Sequence, residues 1–515
     1  MNSHRRPRGF GLHQLKRAFA VLIATLAGLA VLVSCASGGA VSETSPSADS
    51  PIVIGQTSMT DSLDVFKRSW DLTSHGVSES IFMLDEQGNP TSRYVENVTQ
   101  TGPLEWTMTV KPGPKFSDGT DVDATALAES LNEIQQKNTL ANASAGVITF
   151  TADGDTITAR TERETKVLQA ILGEWTNVAF KRDSAGGFIY SGPYQVVSLA
   201  AGDSLQLEPN PHYPDADKRS DVTIRLFQDV DAMKLALQSK SIDMAFTITP
   251  TVADQLEGAD GIEVKSIDAG YQYFARPNLT AGPLTDPLVR EAIDLGLDRS
   301  DYVTALKGGS VETGAFAHYY SFAGTETLTV DKQRAAELLD QAGWVKGADG
   351  VRAKDGQQLS LRLITYPSRP DLSIIMQVVV SQLSELGINA TTRVVDSIRE
   401  GMMSGDYDIA MYAQHTAPTG DPGFFLNQFF RTGAANNLNG YSSPTTDQLL
   451  DQLGELAPGI EQDQLAVQIQ HQLHVDQAIF FMVDPQWHVG VSDRLANYQP
   501  YGGDYYIVNA TLGLA

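Results

Sequence analysis

Trp106-Thr-Met-Thr-Val110-Lys-Pro-Gly-Pro-Lys-Phe116-Ser-Asp118-Gly119-Thr120-Asp-Val-Asp123-Ala124 changes its periodicity halfway along. Leu104, Trp106, Met108 and Val110 alternate with Glu105, Thr107, Thr109 and Lys111, the period of a half-buried strand. Lys-Pro-Gly-Pro is a turn cluster. Asp123 then stands where a helix cap is needed, because Leu127, Leu131 and Ile134 recur at helical spacing. Strand, turn and helix within some thirty residues predict a mixed α/β chain. The same signals recur outward in both directions. Val147–Thr151 and Thr156–Arg160 flank Asp153-Gly154, and Tyr194–Leu199 and Ser204–Glu208 flank Ala-Ala-Gly-Asp, two hairpins. Asp331 precedes a helix carrying Ala335, Leu338, Leu339 and Ala342 and closed by Gly343. Ile374, Ile375, Val378, Val379, Leu383 and Leu386 predict a longer helix closed by Gly387. Helical segments follow Ser443-Pro444, then a strand at Ile479–Val483 and a last one in which Trp487, Val489 and Val491 alternate.

The composition sets bounds on function. The 515 residues hold 37 Lys+Arg against 62 Asp+Glu, a formal charge of −25, with 42% hydrophobic residues. That charge opposes nucleic acid, since phosphate binding needs Lys and Arg. A single cysteine excludes a disulfide framework and any multi-cysteine metal site. Arg5, Arg6, Arg8, Lys16 and Arg17 precede an apolar run from Ala18 to Val33, a charged start and a secretory core too short to span a membrane comfortably. The run ends Leu32-Val33-Ser34-Cys35, which resembles a bacterial lipobox with Cys35 as the acylated residue. An ordinary signal peptide is the plainer alternative; the position of the one cysteine favours the lipobox. Residues 1–34 are thus expected to be a signal peptide, and 35–50 a lipidated, small and polar tether.

Catalytic signatures are missing. The chain has no Gly-x-Ser-x-Gly, His-Glu-x-x-His, Walker A or Gly-x-Gly-x-x-Gly sequence, and no serine with lysine three positions on. A carboxylate pair needs no local signature, so a secreted hydrolase stays open. The expectation is a binding protein rather than an enzyme, working without a cofactor.

Several short landmarks occur in a telling order: the Trp106–Ala124 segment, Ser191-Gly192-Pro193-Tyr194, Asn210-Pro211-His212-Tyr213, Leu237-Gln238-Ser239-Lys240-Ser241-Ile242-Asp243, Asp286-Pro-Leu-Val289-Arg290-Glu-Ala292-Ile293 and Leu297-Asp298-Arg299. Together they resemble the family 5 solute-binding proteins of ABC importers, the dipeptide-, oligopeptide- and nickel-binding group. Two departures are Pro214, where the family commonly has tryptophan, and Lys240, where it has glycine. Tyr366-Pro-Ser-Arg369-Pro-Asp-Leu372, with Ser74–Glu79 and Gly420-Asp421-Pro422, is similar to the nickel and nickel-chelate branch. The resemblance implies an α/β, two-lobed periplasmic-binding-protein-like clamshell with a hinge, in the large three-subdomain variant. Lobe I would be residues 51–267 and lobe II 268–485, with 486–515 returning to lobe I. Ligand would bind between the lobes, and an importer permease would read the closed form. A sensor using the same clamshell is the alternative within the binding class.

The resemblance also suggests ligand contacts. Asp421 corresponds to an acidic residue that peptide-binding relatives use for the ligand's α-amino group; capping the helix that starts at Pro422 is its other open role. Arg431 and Asn436 resemble residues that grip carboxylates in metallophore-binding relatives, a task suited to a guanidinium fork. Tyr412 and His415 stand at a strand end, where the imidazole can complete a nickel complex whose other ligands come from a small chelator. Arg369 either faces the cleft or caps the following helix. His471 and His474, at i and i+3, read as solvated surface rather than a metal pair, His75 as polar loop filling, and Trp106 and Trp487 as core. The expected partners are a peptide or metal-chelate solute, the permease, and a membrane outer face through the lipid.

Overall fold

Asp123 caps the helix that its position predicts. Its Oδ1 accepts the Ala126 N–H at 2.9 Å, and helix Ala124–Lys137 buries Leu127, Leu131 and Ile134. Leu127 and Leu131 share one apolar core with Trp106, Met108 and Val110, the inward face of strand Glu105–Val110. That strand lies second in a four-stranded antiparallel sheet ordered Val95–Gly102, Glu105–Val110, Thr156–Arg160, Thr149–Asp153. The computed structural model describes residues 50–85, 90–502 and 506–514. The signal segment and Cys35 lie outside the described residues. Among these residues no helix is long and apolar enough to cross a membrane.

Two larger sheets carry the architecture. The first has seven strands in the order Tyr194–Ala200, Ser204–Pro209, Val222–Leu226, Ile52–Gln56, Met244–Ile248, Gln486–Ser492, Ile262–Asp268. Ile52–Gln56 runs parallel to both of its neighbours, Val222–Leu226 and Met244–Ile248. The second has six strands in the order Ser310–Val311, Phe480–Asp484, Tyr271–Pro277, Ile409–His415, Ser360–Thr365, Asn389–Val394, the last three mutually parallel. The chain therefore passes between the sheets twice, through Ala269-Gly270 and through Pro485. The passages lie side by side, the Ala269 N–H donating to the Pro485 carbonyl at 3.1 Å. Mixed α/β layering with crossover helices is the architecture expected from the alternating periods.

Local chemistry explains the element ends. Helix Lys332–Gln341 starts at Asp331, whose Oδ1 accepts the Arg334 N–H at 2.8 Å. Helix Pro370–Glu385 is followed by Gly387 at φ +80°, a left-handed position that costs glycine little. Lys240 is informative in the same way. It sits at φ +57° after helix Val230–Gln238, so the glycine of the family pattern answers a backbone need that lysine here meets with strain.

Candidate functional site

Carboxyl ends of parallel strands are where open α/β sheets place their ligands, because loops rather than side-chain layers fill that edge. Four such ends are Gln56, Ile248, Thr365 and His415. The segments around three of them line one cavity of about 50 Å³: Gln56, Thr57 and Ser58; Phe246 and Thr247; Ser368 and Arg369. Trp70 and His75 complete its wall from the first helix and its cap.

Two features mark this cavity as built. Thr247 is buried at φ +59°, a costly conformation for a β-branched residue, and its Oγ1 has no hydrogen-bond partner among the described residues. His75 is buried, with Nε2 2.9 Å from Gln56 Oε1 and no partner on Nδ1. Burial holds its imidazole neutral, with the pKa down at about 4. Arg369 does not cap its helix through its side chain. Its guanidinium packs over Tyr271 at 4.7 Å, Trp487 at 5.0 Å and Trp70 at 5.7 Å, a cationic group inside an aromatic box.

His415 lies at the edge of this box. Its ring stacks on Tyr271 at 5.6 Å and approaches Tyr501 at 6.0 Å, and a Cβ on Gly270 would collide with it. Burial lowers its pKa to about 3, so it is a neutral imidazole. Tyr412, three positions earlier on the strand, faces the other way. It stacks on Phe274 at 5.6 Å with the Arg276 guanidinium over its ring at 5.4 Å.

A second cavity, of about 20 Å³, lies between residues 144–174 and residues 419–462. Asp421 lines it and takes up the capping role as well: Oδ1 accepts the Gly423 N–H at 2.8 Å and Oδ2 accepts from Gln462 Nε2 at 3.0 Å. Glu174, which no local sequence signal marks, lines it too. Ser144 Oγ donates to its Oε1 at 3.1 Å, and Gln428 Nε2 reaches Oε2 at 3.5 Å. Burial raises Asp421 to about 6 and Glu174 to about 8, the latter helped by the charge of Asp421.

Arg431 and Asn436 do not converge on one point. Arg431 Nε donates to Asn427 Oδ1 at 2.9 Å and its Nη1 to Asp451 Oδ1 at 2.8 Å. It lines a neighbouring hollow of about 210 Å³ with Arg163 and Ser144. Asn436 accepts from Arg399 at 2.7 Å and donates to Gln428 at 3.1 Å, which links it to Glu174. His471 is exposed and pairs with Glu326 at 2.9 Å, while His474 stacks on Phe481. Among the described residues no group of three or more His, Cys, Asp or Glu is placed to hold a metal ion.

The buried groups set a pH dependence whose sign can be worked out. Glu174, Asp421 and Asp371 (raised to about 7 by burial) have folded-state pKa values above their unfolded ones. Their stabilisation is complete below the unfolded value and is lost as pH rises through the folded value. His75 and His415 are depressed instead, and penalise the fold only below their unfolded value of about 6.5. Above that pH the acids act without opposition. Unfolding free energy is therefore expected to fall by about 1–2 kcal/mol between roughly pH 6.5 and 8. Denaturant titrations across that window check it, and a flat or rising profile would contradict it.

Comparison with known proteins gives the chain its family and fold. Residues 89–437 match the family described as bacterial extracellular solute-binding proteins, family 5 Middle. The chain is similar to the nickel-binding protein NikA of Staphylococcus aureus (strain NCTC 8325 / PS 47), at 24% identity over 443 residues covering 84% of this chain and 88% of that one. The crystal structure of NikA from S. aureus in complex with Ni(L-His)2 has the same fold, with a TM-score of 0.82 at 22% identity over 90% of this chain and 99% of that one. The oligopeptide-binding protein AppA from Bacillus subtilis, in complex with a nonapeptide, follows at 0.77 and 19% identity, over 90% and 98%. The probable D,D-dipeptide-binding periplasmic protein DdpA of Escherichia coli (strain K12) is 26% identical over 390 residues, 67% of this chain and 69% of that one.

Proposed function

This chain belongs to the bacterial extracellular solute-binding proteins of family 5, and on that premise we propose that it is the extracytoplasmic receptor of an ABC importer, capturing a small zwitterionic solute, either a peptide or a nickel chelate. One observation carries the ligand reading: the strand carboxyl ends of both large sheets meet around a guanidinium, while a buried carboxylate pair with no cationic partner among the described residues lies in a second cavity. A zwitterion needs both charges answered.

In this reading residues 51–267 with 486–515 form one lobe and 268–485 the other. The paired passages at Ala269-Gly270 and Pro485 act as the hinge, because two short crossing segments can rotate while both sheets stay intact. Asp421 takes the ligand's amine and Arg369 its carboxylate. His415, neutral and next to the aromatic box, is free of charge repulsion toward a metal chelate. Arg431 and Asn436 serve from the neighbouring hollow. Closure gives the permease one fixed arrangement of both lobes to recognise. Acylated Cys35 and the tether to residue 50 hold the receptor at the membrane's outer face; two acyl chains make such an anchor stable where one is marginal.

Native mass spectrometry of the folded chain, offered Ni(L-His)2 and a defined mixture of short peptides and followed by metal analysis, tests the reading. A retained, stoichiometric mass without turnover is expected. Nickel in that mass selects the chelate and puts His415, Arg431 and Asn436 first for substitution; peptide masses without metal put Asp421 first. Turnover of the peptides, or no retained solute from either set, would overturn it.

A further inference from the structure

The family reading gives Asp421 a partner in the ligand but leaves Glu174 without a task. Glu174 is 1% exposed and Asp421 6%, and they line the same small cavity, close enough for the charge of Asp421 to act on Glu174. Neither is paired with lysine or arginine among the described residues. Their hydrogen-bond donors are the Ser144 hydroxyl, the Gln428 and Gln462 amides and the Gly423 N–H, all neutral. Two carboxylates taken out of water without a cation are costly, so the pair must carry protons or receive a cation. Each carboxylate oxygen has two acceptor sites, and among the described residues each has one donor, which leaves a second acceptor site on every oxygen.

A third acceptor points to the same place. Thr419 lines the cavity, is 9% exposed, and its Oγ1 has no hydrogen-bond partner among the described residues. The cavity holds about 20 Å³, enough for one water-sized group and no more. A primary ammonium is water-sized and has three N–H donors, matching three acceptors. The charged groups beyond the pair are Asp463, next to Asp421, and Arg163, Glu164, Arg431, Asp451 and Glu455 in the hollow that shares Ser144 and Gly454 with this cavity.

We propose that Glu174, Asp421 and the Thr419 hydroxyl form one subsite for a primary ammonium group, with Glu174 as a second, specificity-determining acceptor. The larger solute that bears the ammonium rests on the receptor reading above; the subsite itself does not. Glu174 then disfavours ligands whose amine is acylated or fully substituted, because such a group leaves the acid pair buried and unanswered. A solute with a free amine neutralises the pair as the cavity shuts over it.

The test uses the smallest such probe on the whole folded protein. Thermal unfolding is followed at about pH 8.5 in about 100 mM methylammonium chloride, against the same concentration of tetramethylammonium chloride. The two salts match in charge and ionic strength, but the second has no N–H and exceeds the cavity. The wild-type Tm is expected to be higher by about 1–2 °C in methylammonium. Glu174→Gln and Asp421→Asn are each expected to lose most of that difference. If Glu174→Gln does not fold, Thr419→Val is measured in its place and should lose part of it. Equal Tm values in the two salts for the wild type, or a difference that survives in Glu174→Gln, would overturn the subsite. So would loss of the difference in Asp421→Asn alone, since Asp421 would then act without Glu174. A retained solute in the mass spectrum beside a negative salt comparison removes the subsite and leaves the receptor standing; the reverse pattern removes the receptor and leaves the subsite.

Discussion

Arg299→Ala is expected to lower the unfolding free energy by about 3–5 kcal/mol, an effect at the upper end for a single side chain. Arg299 is buried at the start of helix Arg299–Leu306, and its guanidinium answers four acceptors. Nε donates to the Phe481 carbonyl at 3.0 Å, Nη1 to the Asp294 and Leu297 carbonyls at 2.7 and 2.9 Å, and Nη2 to the Asp294 carboxylate. One side chain thereby joins helix Pro287–Gly296, the next helix and strand Phe480–Asp484. Alanine would leave the Asp294 charge buried with His474 at 3.8 Å as its one remaining ion-pair partner among the described residues, and three carbonyls without that donor. Lysine keeps the charge but not the fork and should recover less than half of the loss. The double variant Arg299→Met with Asp294→Leu should lose much less than Arg299→Ala, because the uncompensated charge goes with its partner. Denaturation midpoints of the three variants decide it. A loss below about 1 kcal/mol for Arg299→Ala would mean that the helix junction holds without the buried pair.

That residue also shows why the sequence could be read as far as it was. Leu297-Asp298-Arg299 is legible as a landmark of the resemblance, but the task of Arg299 lies in contacts to Phe481, far along the chain. The same division runs through the fold. Asp123, Asp331 and Ser443 announce helices because a cap is chemistry between neighbours, and each does accept an N–H three residues on. The Asp153-Gly154 hairpin was legible for the same reason, with Asp153 paired to Thr156 in the observed register. Sheet order was not legible: the strand Gln486–Ser492 inserts between Met244–Ile248 and Ile262–Asp268, a pairing that no local pattern encodes.

The site divides in the same way. Asp421 stands out through the Gly-Asp-Pro resemblance, which suggests a ligand amine; of its two open roles the cap is the one visible in local contacts. Glu174 had no such signal, because its partners Ser144, Gln428 and Asp421 come from three distant segments. Tyr412 and His415 lie close together in sequence. Three positions on a strand is an odd number, so their side chains leave opposite faces, one toward Phe274 and the other toward Tyr271. That much was readable from periodicity alone.

Trp487→Ala is expected to have an effect as large as that of Arg299→Ala, and to reach the candidate site around Arg369 as well. Trp487 is fully buried in the strand that enters the seven-stranded sheet just after Pro485, where it pairs with Ile267. Its ring meets Tyr271 at 4.6 Å and Phe246 edge-on at 6.1 Å, and carries the Arg369 guanidinium at 5.0 Å. Its Nε1 donates to Tyr273 Oη at 3.1 Å, and that hydroxyl donates in turn to the buried Asp371 at 3.2 Å. Tyr271 and Tyr273 belong to the six-stranded sheet, so this one indole fastens the two sheets beside the double passage. Removing it opens a large cavity and is expected to cost about 3–5 kcal/mol. Phenylalanine keeps most of the apolar contact, forfeits the N–H, and should cost about 1–2 kcal/mol. The pair of variants separates packing from positioning. If Arg369 holds the solute's carboxylate, Trp487→Phe should remain folded, with only that smaller loss of stability, yet bind the solute more weakly, as the guanidinium loses part of its box. Unchanged binding in Trp487→Phe would assign the box to structure alone, and would move the carboxylate's seat to Arg431 and the hollow beside Glu174.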